Sequence, residues 1–145
     1  MNLINFLHVC NKNINLKKYK DISLMKDLLL KYNTNDYLKY SNLKDNTYTK
    51  QLLLQNKILE VYLLSWSPKS YTQIHNHALN GCYMKMLDGS LTEYKYDTQL
   101  KLAQKKTHKK NDVSYINNSM HLHKIKNNTD KPAFTLHIYS PPKII

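Results

Sequence analysis

The hydrophobic pattern changes period at about Thr47, and this change constrains the fold more than any other property of the chain. Before it, apolar residues recur at helical spacing. Ile22, Leu24, Met25, Leu28, Leu29 and Leu30 follow Asp21 and stop near Tyr32 and Asn33, which predicts a small helical N-terminal region. After it, short runs rich in β-branched and aromatic residues alternate with turn residues. Strands are expected over residues 48–54, 57–66, 81–87, 90–96, 112–116, 121–126 and 133–140. Leu87-Asp88-Gly89-Ser90 carries a tight-hairpin signal, because Asp-Gly tolerates the positive φ that such turns need. The pattern implies a mainly β domain, an antiparallel barrel or sandwich preceded by helices. A chain of 145 residues makes one ordinary domain, with residues 1–45 helical and residues 46–145 forming the barrel.

The formal net charge of +12 raises the question of a nucleic-acid or membrane partner. The positive charge is all lysine, spread from Lys12 to Lys143, and it accompanies an excess of Asn, Ile and Tyr with only two glycines. Such a diffuse bias names no nucleic acid. The densest run, KLAQKKTHKK over residues 101–110, is expected to be a solvated turn between strands. The apolar stretch over residues 3–10 is broken by Asn5 and His8, too short and polar for a signal peptide. With no 18-residue apolar run anywhere, a monomer in the cytosol with no membrane contact is expected. Cys10 and Cys82 form no CxxC or paired framework, which argues against a disulfide scaffold or a thiolate zinc site.

The case for a metal therefore rests on histidine. In a strand, residues i and i+2 share a face, so His75 and His77 of IHNH can reach one ion. Alone, that pair is a weak signal. A second group, His121 and His123 in MHLHK, offers a further ligand from a distant strand, and His137 and Tyr139 form another i, i+2 pair in TLHIYSPP. His8 and His108 are expected at the surface with no role, whereas Trp66, Met84, Met86, Leu136 and Ile138 are expected in the core.

Two blocks, WSPKSYTQIHNHALNGCYMKMLDGSLTEYKYD and YINNSMHLHKIKNNTDKPAFTLHIYSPP, resemble the two core motifs of the cysteine dioxygenases. The resemblance covers residues 48–142, about two thirds of the chain. It implies a cupin-type antiparallel β-barrel, or jelly roll, with Fe(II) held by His75, His77 and His123. The spacing of His123 to Asn127 and the block match favour His123 over His121, which is left as a solvent or core-edge residue. Cys82 and Tyr139 fall where that family forms a thioether crosslink, His137 on the histidine that hydrogen-bonds the tyrosine, and Thr135 on a nearby serine. Lys50, sharing a strand face with Tyr48, stands where the family carries an arginine. Both are candidates for binding the substrate carboxylate, though lysine offers a point charge where arginine offers a planar fork. The family also continues with a further segment beyond the SPP motif, so a more open pocket is expected here.

Three neutral imidazoles leave a six-coordinate iron three open positions, enough for a bidentate thiol substrate and dioxygen together. Oxygen transfer to a bound thiolate leads to the sulfinic acid. The resemblance therefore implies oxidation of L-cysteine to cysteine sulfinic acid, with small thiol and O2 as the partners. Lys50 keeps another small thiol such as 3-mercaptopropionate in view, and a metal-binding cupin module without turnover is the alternative from a different class.

Overall fold

A computed structural model describes residues 1–13, 24–76, 81–116 and 122–142. Helices α1 (Leu3–Asn13) and α2 (Leu24–Lys31) and a short 3-10 turn at Asp36–Tyr40 precede eight strands. These are β1 (Tyr48–Gln55), β2 (Glu60–Trp66), β3 (Cys82–Asp88), β4 (Leu91–Tyr96), β5 (Leu102–His108), β6 (Val113–Ile116), β7 (Leu122–Lys126) and β8 (Ala133–Tyr139). They form a five-stranded sheet in the order β1-β2-β8-β3-β6 and a three-stranded sheet in the order β5-β4-β7, with every pairing antiparallel. The expected jelly roll is thus present as two facing sheets. Among the described residues, hydrogen bonding does not close them into one continuous cylinder.

Period-two alternation sorts the five-stranded sheet into two faces. Val61, Leu63, Tyr83, Leu87, Leu136 and Ile138 point outward and pack under Leu3, Phe6, Cys10, Met25, Leu28 and Leu29 of the two helices. Leu64, Trp66, Met84, Met86 and Ala133 point inward and meet Leu91 and Ile125 of the three-stranded sheet. The helices therefore act as a lid on one face of the sheet, leaving the other face to line the interior. Lys85, on the outward face of β3, fastens that lid: its buried ammonium donates to the carbonyl of Leu29 at 2.6 Å and to that of Tyr32, at the C-terminal end of α2. A cation there complements the helix dipole and satisfies carbonyls the helix leaves over. Among the described residues no helix is long and apolar enough to cross a membrane.

Three expectations need correcting. Residues 101–110 are not a turn, because β5 runs through Leu102–His108. Among the described residues it is an edge strand bonded only to β4, and its lysines face solvent, which blunts the edge against further pairing and erases the hydrophobic alternation that marks interior strands. The Asp88-Gly89 turn is real, with Gly89 at φ +78, but it does not close a hairpin. It carries the chain from β3 in one sheet to β4 in the other, and a Cβ at Gly89 would stand 2.7 Å from the Pro132 carbonyl oxygen. The strand expected over 57–66 begins only at Glu60. The Asn56 side chain accepts from the amides of Ile58 and Leu59 and folds that stretch into the turn between β1 and β2.

Candidate active site

A cavity of about 280 Å³ opens between the inward faces of the two sheets. It is lined by Tyr48 and Lys50 of β1, Leu64 and Trp66 of β2, Cys82 and Met84 of β3, Glu93 of β4, His123 and Ile125 of β7, His137 and Tyr139 of β8, and His75 of the segment after β2. Every predicted site residue among the described ones meets here. His77 and His121 lie outside the described residues.

His75 and His123 come together because residues 71–75 run antiparallel beside β7. Each of the two residues donates its backbone N–H to the other's carbonyl, at 2.9 and 3.2 Å, so the side chains stand on one face. Their Nε2 atoms approach to 2.9 Å. The Nδ1 atoms point elsewhere: that of His75 donates to the Gln73 carbonyl at 2.8 Å, and that of His123 to the Glu93 carboxylate at 2.7 Å. With the proton of each ring held on Nδ1, both Nε2 lone pairs are directed at the same point. Burial holds His123 below the ordinary imidazole range, with Glu93 pulling in the opposite direction. Two convergent neutral imidazoles fit a divalent cation such as Fe(II), and an open side toward the cavity leaves room for exogenous ligands. Among the described residues no group of three ligating side chains is assembled.

Facing these histidines, β8 presents a line of polar contacts. Trp66 Nε1 donates to Thr135 Oγ1 at 2.9 Å, Thr135 Oγ1 meets His137 Nε2 at 3.0 Å, and His137 Nδ1 meets the Tyr139 hydroxyl at 3.0 Å. The indole N–H fills one lone pair of Thr135, which leaves the hydroxyl proton and a second lone pair to meet His137 Nε2. A neutral ring has one N–H to share between these two hydroxyls, donating to one and accepting from the other. Burial, and next the nearby Lys50 ammonium, depress His137 well below its usual value and keep the ring neutral. Burial, followed by the Cys82 thiol, raises the Tyr139 hydroxyl well above the usual phenol value. Cys82 and Tyr139 are directly opposed in the β3–β8 register, and Cys82 Sγ lies 4.0 Å from His137 Nδ1. Just before Cys82, Gly81 has φ +100, and the Tyr115 ring occupies the space a Cβ would need.

On β1, the Lys50 ammonium sits 4.2 Å from the Tyr62 ring centroid and 4.7 Å from that of Tyr139. Two aromatic faces thus hold the cation at the cavity wall. Tyr48 is stacked on Trp66 with centroids 4.8 Å apart. Asn127, four residues beyond His123, is buried and donates to the carbonyls of Ser67 and Lys131 at 3.2 and 2.8 Å, tying the end of β7 to the end of β2.

Two residues of the site escaped the sequence reading. Glu93 is buried and accepts from both His123 and His108. Burial pushes its carboxyl up, but the two histidine hydrogen bonds more than reverse this and hold it well below the carboxylate range. His108, expected at the surface, is buried at the end of β5 with Nε2 2.9 Å from Glu93. The available signal was parity: Glu93 shares a strand face with Leu91, which belongs to the core, so its charge points inward.

The same chain, residues 4–144, matches the family model described as cysteine dioxygenase type I. The chain belongs to that family. It is 29% identical over 133 residues to the cysteine dioxygenase type 1 of Danio rerio, covering 84% of this chain and 66% of that protein. It is 30% identical over 118 residues to the Rattus norvegicus protein of the same name, covering 76% and 59%. For the Homo sapiens protein the identity is 30% over 115 residues, covering 74% and 58%. The chain thus spans about three fifths to two thirds of the length of these relatives. Among solved structures, a cupin superfamily protein from Desulfitobacterium hafniense superposes with a TM-score of 0.59 at 16% identity, covering 70% of this chain and 84% of its own. A Thermus thermophilus protein gives 0.63 at 14% identity, covering 76% and 98%. These structural likenesses establish the cupin fold, and the family match establishes a dioxygenase lineage.

Proposed function

We propose that this cysteine dioxygenase family member is an iron-dependent thiol dioxygenase that oxidises L-cysteine with O2 to cysteine sulfinic acid. The observation that carries the proposal is the convergence of His75 and His123 in one cavity with Cys82, His137, Tyr139, Lys50 and Tyr48. His75, His77 and His123 would hold the metal. Fe(II) there would supply a Lewis-acidic centre for a thiolate and for dioxygen.

Lys50 attracts the substrate carboxylate, and its place against Tyr62 and Tyr139 limits how far the ammonium can swing. The Tyr139 hydroxyl, held 3.0 Å from His137 Nδ1, stands at the cavity wall beside the substrate. Leu64, Trp66, Met84 and Ile125 form the apolar part of the wall and exclude water from the thiol. Cys82 and Tyr139 are proposed as the partners of a thioether crosslink, supported by their register. We assign the activity to a monomer in the cytosol.

The test is product analysis. Protein loaded anaerobically with Fe(II) is expected to consume O2 on addition of cysteine and to yield the sulfinate by mass spectrometry, with His75→Ala abolishing both. A binding module without turnover would form no sulfinate. A second reading, a different small carboxylated thiol such as 3-mercaptopropionate, is favoured by Lys50, which places a point charge where a fork would be more selective. A panel of thiols in the same assay decides between them.

A further inference from the structure

The three-stranded sheet contributes one side chain from each of its strands to a continuous line of contacts. His108 from β5 donates to one oxygen of Glu93 on β4 at 2.9 Å, and His123 from β7 donates Nδ1–H to the other oxygen at 2.7 Å. All three residues are buried. A carboxylate bonded through one oxygen can still rotate about its last torsion. One bonded through both oxygens to different strands is fixed. The fixed carboxylate in turn fixes the plane of the His123 ring and keeps its proton on Nδ1, so Nε2 is the atom directed at His75.

We propose that Glu93, braced by His108, is a positioning residue that presents His123 to the metal and raises the basicity of its Nε2. This rests on the reading of His123 as a ligand given under Proposed function. A purely structural pair has a different signature. Burying a carboxylate between two imidazoles gains little net stability over an apolar filling, because desolvation offsets most of the attraction. Its effect should therefore be concentrated on the ligand it orients, as carboxylates behind metal-bound histidines generally act.

The experiment measures Co(II), used as an air-stable probe, by competition with a chromophoric chelator and by its visible ligand-field spectrum. It compares the wild-type chain with Glu93→Gln, Glu93→Leu, His108→Phe and His108→Gln. Glu93→Leu is expected to weaken Co(II) binding by about 10- to 100-fold. His108→Phe, which leaves Glu93 held on one side, should weaken it by about tenfold and shift the spectrum. His108→Gln, which returns an N–H donor to the same oxygen, should recover most of the affinity. In the metal-free protein, 15N spectra of the imidazole rings are expected to show His123 protonated on Nδ1 in the wild type and as mixed tautomers in Glu93→Leu. If Glu93→Leu does not fold, Glu93→Gln and the His108 pair carry the same comparison. Wild-type Co(II) affinity in every folded variant, with an unchanged His123 tautomer, overturns the proposal and leaves the metal reading standing. A wild-type chain that binds no Co(II) overturns both.

Discussion

Replacing Thr135 by valine tests the line of contacts that supports Tyr139. Valine keeps the branched shape but removes the hydroxyl that joins Trp66 Nε1 to His137 Nε2. Both partners are buried, at 0% and 5% exposure, so water does not replace the lost contacts. A buried polar group left without a partner costs about 1–3 kcal/mol, and two are created here. Removing the hydroxyl also relieves its own desolvation, which returns about 1 kcal/mol. The net expected destabilisation is about 1–5 kcal/mol. Trp66, the sole tryptophan, reports the same event, so urea unfolding followed by its fluorescence serves as the assay. Turnover should fall by about five- to tenfold, the equivalent of one neutral hydrogen bond, as His137 loses the contact that sets its tautomer. Thr135→Ser, which retains the hydroxyl, is expected to keep turnover and most of the stability. A Thr135→Val chain within about 0.5 kcal/mol of wild type would refute the reasoning, as would a Thr135→Ser chain with the same defect as Thr135→Val.

Lys50→Arg should lower KM for cysteine by about three- to tenfold, because a guanidinium grips a carboxylate through two parallel N–H bonds. Steady-state kinetics with cysteine and its decarboxylated analogue check this, and an equal change for both would remove Lys50 from carboxylate binding. Burial raises the Cys10 thiol from an ordinary 9.0 to about 12, so the stability it contributes is complete below pH 9 and is lost as pH rises through 12. The difference in unfolding free energy between wild type and Cys10→Ala should therefore shrink by about 1.4 kcal/mol by pH 10, and denaturation at pH 7 and pH 10 measures it. For the crosslink, a two-electron oxidation by O2 that joins Cys82 Sγ to the Tyr139 ring removes one hydrogen from each. Intact mass after turnover is expected about 2 Da lower than in Cys82→Ser corrected for its substitution, and no difference would count against the crosslink.

What the sequence revealed and what it hid follow from one physical distinction. Strand existence was legible in β2, β3 and β8, where both faces are covered and Val61, Leu63, Leu64, Tyr83, Met84, Leu136 and Ile138 record the alternation. It was hidden in β5, which among the described strands pairs with β4 alone and whose lysines meet water. The Asp-Gly turn was legible as a turn, since φ +78 at Gly89 is a local property. Whether the next strand pairs with the last one depends on distant partners, here β6 and β8 for β3 and β5 and β7 for β4, and local residues do not encode this. In the same way, His75, His123, His137 and Tyr139 could be singled out because strand parity and motif identity sufficed. His108 acquires meaning only when β5 is known to be a strand beside β4, whereas the parity of Glu93 with Leu91 lay within β4 itself. Misreading one edge strand as a turn therefore concealed His108 and, with it, the second partner of Glu93.

The two-sheet arrangement also separates the chemistry of the site into walls that can be perturbed independently. Lys50, Tyr48, Cys82, His137 and Tyr139 all stand on the five-stranded sheet, while Glu93, His108 and His123 stand on the three-stranded sheet with His75 bridged to β7. Between described strands, no backbone hydrogen bond of either ladder crosses from one sheet to the other. A change on the first wall reaches the second through the apolar layer of Leu64, Trp66, Met84, Leu91 and Ile125 and through the Asn127 side chain that ties β7 to the end of β2. Conservative substitutions that leave this layer intact should therefore act nearly additively across the cavity. Lys50→Arg combined with His108→Phe is expected to show the KM change of the first and the metal-affinity change of the second, each within about twofold of the single variants. Strong coupling between them would mean that the ammonium and the histidine wall communicate through something other than packing, and a double-mutant cycle on both readouts would expose it.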